Sequence, residues 1–435
     1  MVNKATRILI GSWFGMLLAI APASAVDFEV KEGWMATLRG FVAVRADYDQ
    51  NNMGGSEPLL PPRDGSAQDG DHTFRFSPSQ TQLGFGLKGP SKNGLTNRGY
   101  IEIDFLNERI SGLDDRGNTT SPRLRHAYFE LGWNEGKSAL TVGQTNVLFG
   151  DTLPDLTFDN LNLALGSLFG RESQVRYTHK QTLKSGSDIT YGISINAPNS
   201  GLFNEATDTA ERTSRPFIHG KIAYHTDAWG KVDYFGFERG APVPAEFALS
   251  SFIGQERIDR TAPGTSGRED VNAYGIAASF HLPIIGIRDD QRKGAISVTG
   301  QAWYGENMDS YFGGNGQGVF ETVDGKVDGI KTKGFFVGGK YFLTNHMWLN
   351  AIYSYEKNDL LKDAGNQFRI ASGLFQGSTF GKPGIEKAQT FNLTWWYEPI
   401  HALYVGVGWD YRKATYNDGV KGDNNRLSAS MFYNF

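Results

Sequence analysis

Leu427-Ser428-Ala429-Ser430-Met431-Phe432-Tyr433-Asn434-Phe435 alternates residue by residue. Leu427, Ala429, Met431, Tyr433 and Phe435 fall on one face; Arg426, Ser428, Ser430 and Asn434 fall on the other, with Phe432 the exception. The segment before it repeats the pattern, with Leu403, Val405, Val407, Trp409 and Tyr411 opposite Gly406, Gly408, Asp410 and Arg412. Ile189, Tyr191, Ile193 and Ile195 alternate with Thr190, Gly192, Ser194 and Asn196, and Ile296 and Val298 with Ser297, Thr299 and Gln301. A period of two is that of strands with one apolar and one polar face.

The connections alternate in length. Asn134-Glu135-Gly136-Lys137, Ala228-Trp229-Gly230, Thr344-Asn345-His346 and Glu398-Pro399-Ile400 read as tight turns. Long polar loops are expected at 49–71, 107–121, 197–215, 240–270, 305–333 and 357–386. Between them the pattern predicts about sixteen strands of roughly ten residues. Their expected starts are 36, 73, 98, 123, 138, 171, 188, 216, 231, 271, 294, 334, 347, 387, 402 and 425. Short turns at one end, long loops at the other and an even strand count describe an outer-membrane barrel. In lipid every backbone N–H and C=O needs an internal partner, and a closed sheet leaves no free edge. The expected fold is all-β, a transmembrane antiparallel β-barrel.

Composition agrees. The 435 residues include 54 Gly and 13% aromatics, yet mean hydropathy is −0.39. Alternation reconciles these values, because only every second strand residue meets lipid. Aromatics gather near strand ends, as at Phe335-Phe336, Tyr353, Tyr355 and Trp395-Trp396-Tyr397, which suits interfacial girdles. A soluble propeller or β-helix would need a repeat of fixed period, and none is found. The net charge of −4 and the lack of a basic run give no case for nucleic acid. With no cysteine there is no disulfide, thiolate metal site or cysteine nucleophile.

Residues 1–25 read as a secretory signal peptide. Lys4 and Arg7 precede an apolar run from Ile8 to Ile20, and Ala23-Ser24-Ala25 forms a small-x-small cleavage site. Residues 26–435 are expected to form one domain. Gly84-Phe85-Gly86-Leu87-Lys88-Gly89 matches a dinucleotide fingerprint, but Pro90 and Asn93-Gly94 follow where a helix is needed. Gly132-Trp133-Asn134-Glu135-Gly136-Lys137-Ser138 is one residue short of a phosphate loop and sits at a turn. Neither a close metal spacing among the histidines nor a G-x-S-x-G elbow occurs. No cofactor is expected.

One loop stands apart. Val147 to Gly170 includes Phe149-Gly150-Asp151, Pro154-Asp155, Asp159 and an apolar run from Leu161 to Leu168. Leu161, Leu163, Leu165 and Leu168 suit a loop folded back into the barrel, where it narrows the aqueous lumen of a sixteen-stranded wall. Alternation places Arg39, Arg45, Arg75 and Arg176 on the lumenal side, along with Tyr100, Glu102 and Asp104. A lipid-facing Arg at mid-membrane costs about 2–4 kcal/mol. Arg123 and Arg125 share parity with Ala127, Phe129 and Leu131, an outward face. A position near the outer rim, a bulge or a subunit interface would reconcile them.

Several segments resemble the DcaP-like outer-membrane porins. Gly40-Phe41-Val42 through Tyr48-Asp49 is similar to their first strand, and Glu102-Ile103-Asp104-Phe105 to their E-x-D-F strand. Arg123-Leu124-Arg125-His126-Ala127-Tyr128 is similar to R-L-R-H-A-Y. Val142-Gly143-Gln144-Thr145 with Phe149-Gly150 resembles the G-Q-T…F approach to their constriction loop. Arg171 with Gln174-Val175-Arg176-Tyr177 resembles the strand that leaves it, and Asn196-Ala197-Pro198 is a weaker echo of their E-N-P. The likeness spans residues 36–225. It implies a homotrimeric diffusion channel that favours small organic anions such as dicarboxylates and aromatic acids. Two departures stand out. Family members often carry basic residues where this chain has Ser77-Pro78-Ser79-Gln80-Thr81-Gln82. Some also carry a coiled coil before the barrel, for which the stretch after Val26 is too short.

The expected function is passive outer-membrane diffusion of small hydrophilic solutes, in a Gram-negative outer membrane. Arg45, Arg75, Arg125, Arg171 and Arg176 are candidates for a basic side of the constriction; Asp151, Asp155 and Asp159 are candidates for loop carboxylates facing it. Oppositely charged walls orient a polar solute. The expected partners are outer-membrane lipid, the solutes and, through the C-terminal aromatic, the barrel-assembly machinery. An adhesin or receptor barrel would be distinguished by a plugged lumen. A hydrolase on a barrel would need a Ser, a His and a polar partner converging on one wall.

Overall fold

The computed structural model describes residues 26–53, 60–107, 121–150, 166–184, 186–197, 215–232, 242–289, 291–311, 313–360, 368–371, 380–381 and 383–435. Its main sheet is antiparallel throughout and closes on itself. The strand Trp34–Asp49 pairs with the last strand, Lys421–Asn434, in a register from Phe41 opposite Asn434 to Asp49 opposite Arg426. The ring has sixteen wall positions. A short strand, Val26–Lys31, flanks the ring by pairing with the start of Trp34–Asp49.

One wall position is filled by two pieces, Thr73–Ser77 and Gln82–Lys88, both paired with Trp34–Asp49. The break follows from Pro78, which has no N–H to give the ladder. Thr81 takes over locally: Ala43 N–H donates to its Oγ1 at 3.2 Å, and Thr81 N–H turns back to Pro78 O at 3.0 Å. The glycine-rich stretch Gly84–Lys88 is strand, as expected.

Most strands begin within four residues of the expected positions. The ninth does not. It was expected from 231, with 240–270 as a loop; the observed strand is Ala245–Asp259, inside that loop. Asp227–Trp229 is a short 3-10 helix, and Val232 forms an isolated bridge with Val243. The reason lies in the inner face. Phe247, Leu249 and Ile253 point out, but Ala248 and Phe252 point in, so an apolar inner face blurred the alternation.

Outward residues such as Leu427, Met431, Val407, Ile193 and Ile195 are exposed, whereas Ser428, Ser430 and Asn196 are buried inside. Phe432, the exception in the sequence pattern, faces inward. It joins Phe41, Phe342, Trp348, Trp396 and Tyr404 in a buried aromatic cluster at the short-turn end. The long-loop end carries a small sheet of its own. Val319–Thr322 pairs with Val327–Gly329 and Phe368–Ile370 in a separate three-stranded sheet, where the sequence had suggested only polar loop.

Candidate pore constriction

The inner wall carries a group of arginines built over buried carboxylates. The strands Thr96–Asn107 and Ser121–Trp133 supply most of it. Glu102 pairs with His126, but Ile103 pairs with Leu124, so Arg125 is the extra residue of a β-bulge. The bulge resets the parity of Arg123 and Arg125, which therefore turn inward while Leu124 stays on the outer face. Opposite the next strand, Gly143 has φ +126°, and a Cβ there would lie 2.2 Å from Ala127 O. Only glycine accommodates that approach, which accounts physically for its place before Gln144-Thr145.

Arg125 Nε lies 2.8 Å from Glu102 Oε1, and its Nη1 lies 2.9 Å from Asp104 Oδ2. Arg123 grips Asp104 with two bonds, of 2.9 and 2.6 Å. Arg39 Nε donates to Tyr100 Oη at 2.6 Å, Tyr100 donates to Glu102, and Arg39 Nη2 lies 3.6 Å from Glu102 Oε2. The exposures are unequal. The Arg39 and Arg123 side chains are 53% and 33% exposed; those of Glu102 and Asp104 are 3% and 1%. A solute in the lumen therefore meets guanidinium edges with the carboxylates behind them. Arg171 feels the charge of Arg123 and Arg125 and stacks over Phe169 at 4.5 Å.

A second group lies across the seam of the ring. Arg45 Nε is 2.8 Å from Asp47 Oδ1. Asp49 accepts two bonds from Arg426, at 2.7 and 2.8 Å, and lies 3.5 Å from Arg75 Nη1. Arg412 Nε donates to Asp410 Oδ1 at 2.7 Å, and Asn392 also donates to Asp410. Arg45, Arg412 and Arg426 are buried, whereas Arg75 is 26% exposed. Arg176 faces inward and donates to Asn146 O at 3.0 Å on the neighbouring strand.

The segments flanking Asp151–Leu165 run along the inside of the wall. Val147, Phe149 and Leu168 are buried in one cluster with Phe217, Phe252, Trp303, Met308 and Tyr311. Gln301 accepts Leu168 N–H at 2.9 Å and donates to Gly150 O at 3.1 Å, so one amide ties both ends down. Trp303 Nε1 donates to Gly166 O at 2.8 Å. A second inward segment, absent from the sequence expectation, follows the strand Ile296–Glu306. Its residues Met308, Asp309, Ser310, Tyr311, Asn315 and Gln317 are buried, and Phe169 N–H donates to Tyr311 O at 3.1 Å.

Of the eight candidate residues, the structure brings Arg125 and Arg171 near each other and places Arg45 and Arg75 around Asp47 and Asp49. Arg176 reaches Asn146 O, on the residue opposite Arg171. Asp151, Asp155 and Asp159, with Leu161 to Leu165, lie outside the described residues. Arg39, Arg123, Arg412 and Arg426 were missing from the candidate set. The alternation of their strands had marked Arg39, Arg412 and Arg426 as polar-face residues, and only the bulge hid Arg123. A Ser–His contact does occur, with Ser138 Oγ 2.8 Å from His179 Nδ1. That hydroxyl is buried and also receives Asn134 Nδ2 at 3.2 Å, and the His179 ring lies against Tyr191, so the pair has the surroundings of a strand-end tie.

No protein-family profile matches this chain, and no curated protein sequence matches it. Solved structures do. The outer membrane channel DcaP of Acinetobacter baumannii aligns over 94% of this chain and all of its own, with 20% identity and a TM-score of 0.65. The anion-selective porin from Comamonas acidovorans aligns over 92% of this chain and all of its own, at 12% identity and a TM-score of 0.52. OprB of Pseudomonas putida covers 92% of this chain and 94% of its own, at 11% identity and a TM-score of 0.52. The fold is thus that of outer-membrane channel barrels, with DcaP among them, as the sequence motifs had suggested.

Proposed function

We propose that the chain is a passive diffusion channel of the Gram-negative outer membrane, for small hydrophilic solutes and with a preference for small carboxylates. The carrying observation is the unequal exposure of Arg39 and Arg123 over Glu102 and Asp104. On this wall the guanidiniums of Arg39, Arg123, Arg125 and Arg171 stand around the two carboxylates of Glu102 and Asp104, and the exposed ends are positive. Lumen charges act on a passing ion within a Debye length of about 8 Å. A guanidinium offers a carboxylate two parallel hydrogen bonds and chloride no such match. The likeness of the fold to DcaP and to a porin described as anion-selective supports this reading.

Residues 1–25 would be removed on export, and the barrel would work as a homotrimer delivered by the assembly machinery. Arg75, Arg125, Arg171 and Arg176, with Asp151, Asp155 and Asp159 on the inward loop, complete the proposed constriction; Arg45 supports it from behind. Passive diffusion needs neither cofactor nor nucleotide. The test is the reversal potential of single channels in a chloride gradient and then in a gradient of a small dicarboxylate. The reading predicts anion preference in both, larger for the dicarboxylate.

A further inference from the structure

We propose that the outward face of the barrel at its long-loop end binds a phosphorylated glycolipid of the surrounding leaflet. This rests only on the outer-membrane part of the reading above. The observation is a row of like charges. Lys333 lies opposite Lys357 on the next strand, and Lys357 lies opposite Lys387 on the one after. Their strand neighbours Thr332, Glu356 and Ala388 are buried inward, so the three lysines share the lipid-facing side. Like charges directly opposite each other destabilise a sheet. A wall that keeps three of them in line gains most from an anion laid across them.

The row continues on both sides. Lys331, Lys413 and Lys421 stand on the same outer rim. Among the described residues, the carboxylates set against these lysines are Glu306 opposite Lys331, Asp423 opposite Lys413, and Asp359, whose Oδ1 is 3.9 Å from Lys357 Nζ. Lys387 Nζ also lies 3.8 Å from Glu386 Oε1. Lys333, Lys413 and Lys421 form no ion pair among the described residues. Among the described residues, positive charge therefore exceeds negative along this arc.

What lies beneath selects the partner. Two residues nearer the middle of the barrel, about 6.7 Å along the strand, Phe335 stands under Lys333, Tyr355 under Lys357, Gln389 under Lys387 and Tyr411 under Lys413, with the Phe335 and Tyr355 rings 6.0 Å apart. Below them the face is apolar, with Val337, Tyr353, Leu393 and Trp409 exposed. Ammonium groups above an aromatic girdle above an apolar band match an amphiphile with phosphate at headgroup height and acyl chains below. A phosphate group, with up to two charges and three acceptor oxygens, can bridge several lysines at once.

The test reconstitutes the full barrel in phosphatidylcholine vesicles containing a minor fraction of bis-phosphorylated lipid A. The protein is re-extracted, and lipid A per barrel is measured by native mass spectrometry. Wild type should retain the lipid, and K333Q/K357Q/K387Q should lose roughly fivefold in affinity per lysine. The corresponding K333R/K357R/K387R protein should retain it, and dephosphorylated lipid A should bind no better than the glutamine variant allows. Heat-modifiable mobility reports that each protein is folded. Equal retention by the folded glutamine variant, equal retention of the dephosphorylated lipid, or displacement by inorganic phosphate alone would overturn the proposal. A chain that holds lipid A through these lysines yet conducts no ions supports the proposal and overturns the channel reading.

Discussion

The carboxylate of Glu356, on the wall strand Met347–Asp359, accepts the backbone N–H of Gly166 at 2.7 Å. Its second oxygen accepts Asn315 N–H at 2.9 Å. One buried side chain thus holds the end of the first inward segment and the middle of the second. Gly166 has φ +83°, and a Cβ there would meet Phe335 O at 2.6 Å, so the chain can press this close to the wall only as glycine.

Replacing Glu356 with Ala should therefore free both segments at once. Each such hydrogen bond contributes about 0.5–1.5 kcal/mol, while the sixteen-stranded wall closes without either. Single-channel recordings of E356A should show larger conductance and more open-state noise than wild type, with heat-modifiability unchanged. E356Q retains an acceptor and should fall between them.

Arg125 should matter to stability as well as to selectivity. Its two bonds to Glu102 and Asp104 compensate carboxylates that have almost no contact with water. Removing one partner of such a pair typically costs about 3–5 kcal/mol. R125Q should unfold at clearly lower denaturant in lipid vesicles, and its surviving channels should shift toward cations.

Arg39 and Arg45 should separate the two effects. The Arg39 side chain is half exposed, so R39Q should change stability by no more than about 0.5 kcal/mol while reducing anion preference. Arg45 is buried against Asp47, so R45Q should lower stability more than it changes the reversal potential. Paired denaturation and reversal-potential measurements on both variants check the contrast.

Period-two alternation carried the wall because a barrel strand has one face in lipid and the other in water. It failed at Ala245–Asp259, where Ala248 is buried and Phe252 packs against Phe149 and Tyr311 of the inward segments instead of lining water. It misassigned Arg123 and Arg125 because one inserted residue flips every side chain beyond it, and a bulge leaves no mark in alternation alone. The second inward segment was hidden for another reason. Asn307 to Gly318 is polar and glycine-rich, as surface loops are, and only its partners Glu356, Phe169 and His219, distant in sequence, reveal its burial.

The cap at the long-loop end should loosen in acid. Burial raises the pKa of Glu321, but the N–H groups of Ala262 and Thr261 and the Arg369 guanidinium outweigh it and hold the carboxyl below its ordinary 4.5. A depressed folded value means the stabilisation is complete above the unfolded value and disappears as pH falls through the folded one. Protection of Val319–Thr322 against hydrogen exchange should be flat above 4.5 and decline below it. E321Q should remove this step and leave the cap less protected at neutral pH.

The central claim is that exposed guanidiniums over buried carboxylates make the lumen favour small carboxylates. It is tested most directly by the reversal potential of wild-type single channels, in a chloride gradient and then in a dicarboxylate gradient. The account predicts a weak anion preference for chloride and a stronger one for the dicarboxylate, both reduced in R39Q/R123Q. A wild-type channel that selects cations in either gradient would contradict it.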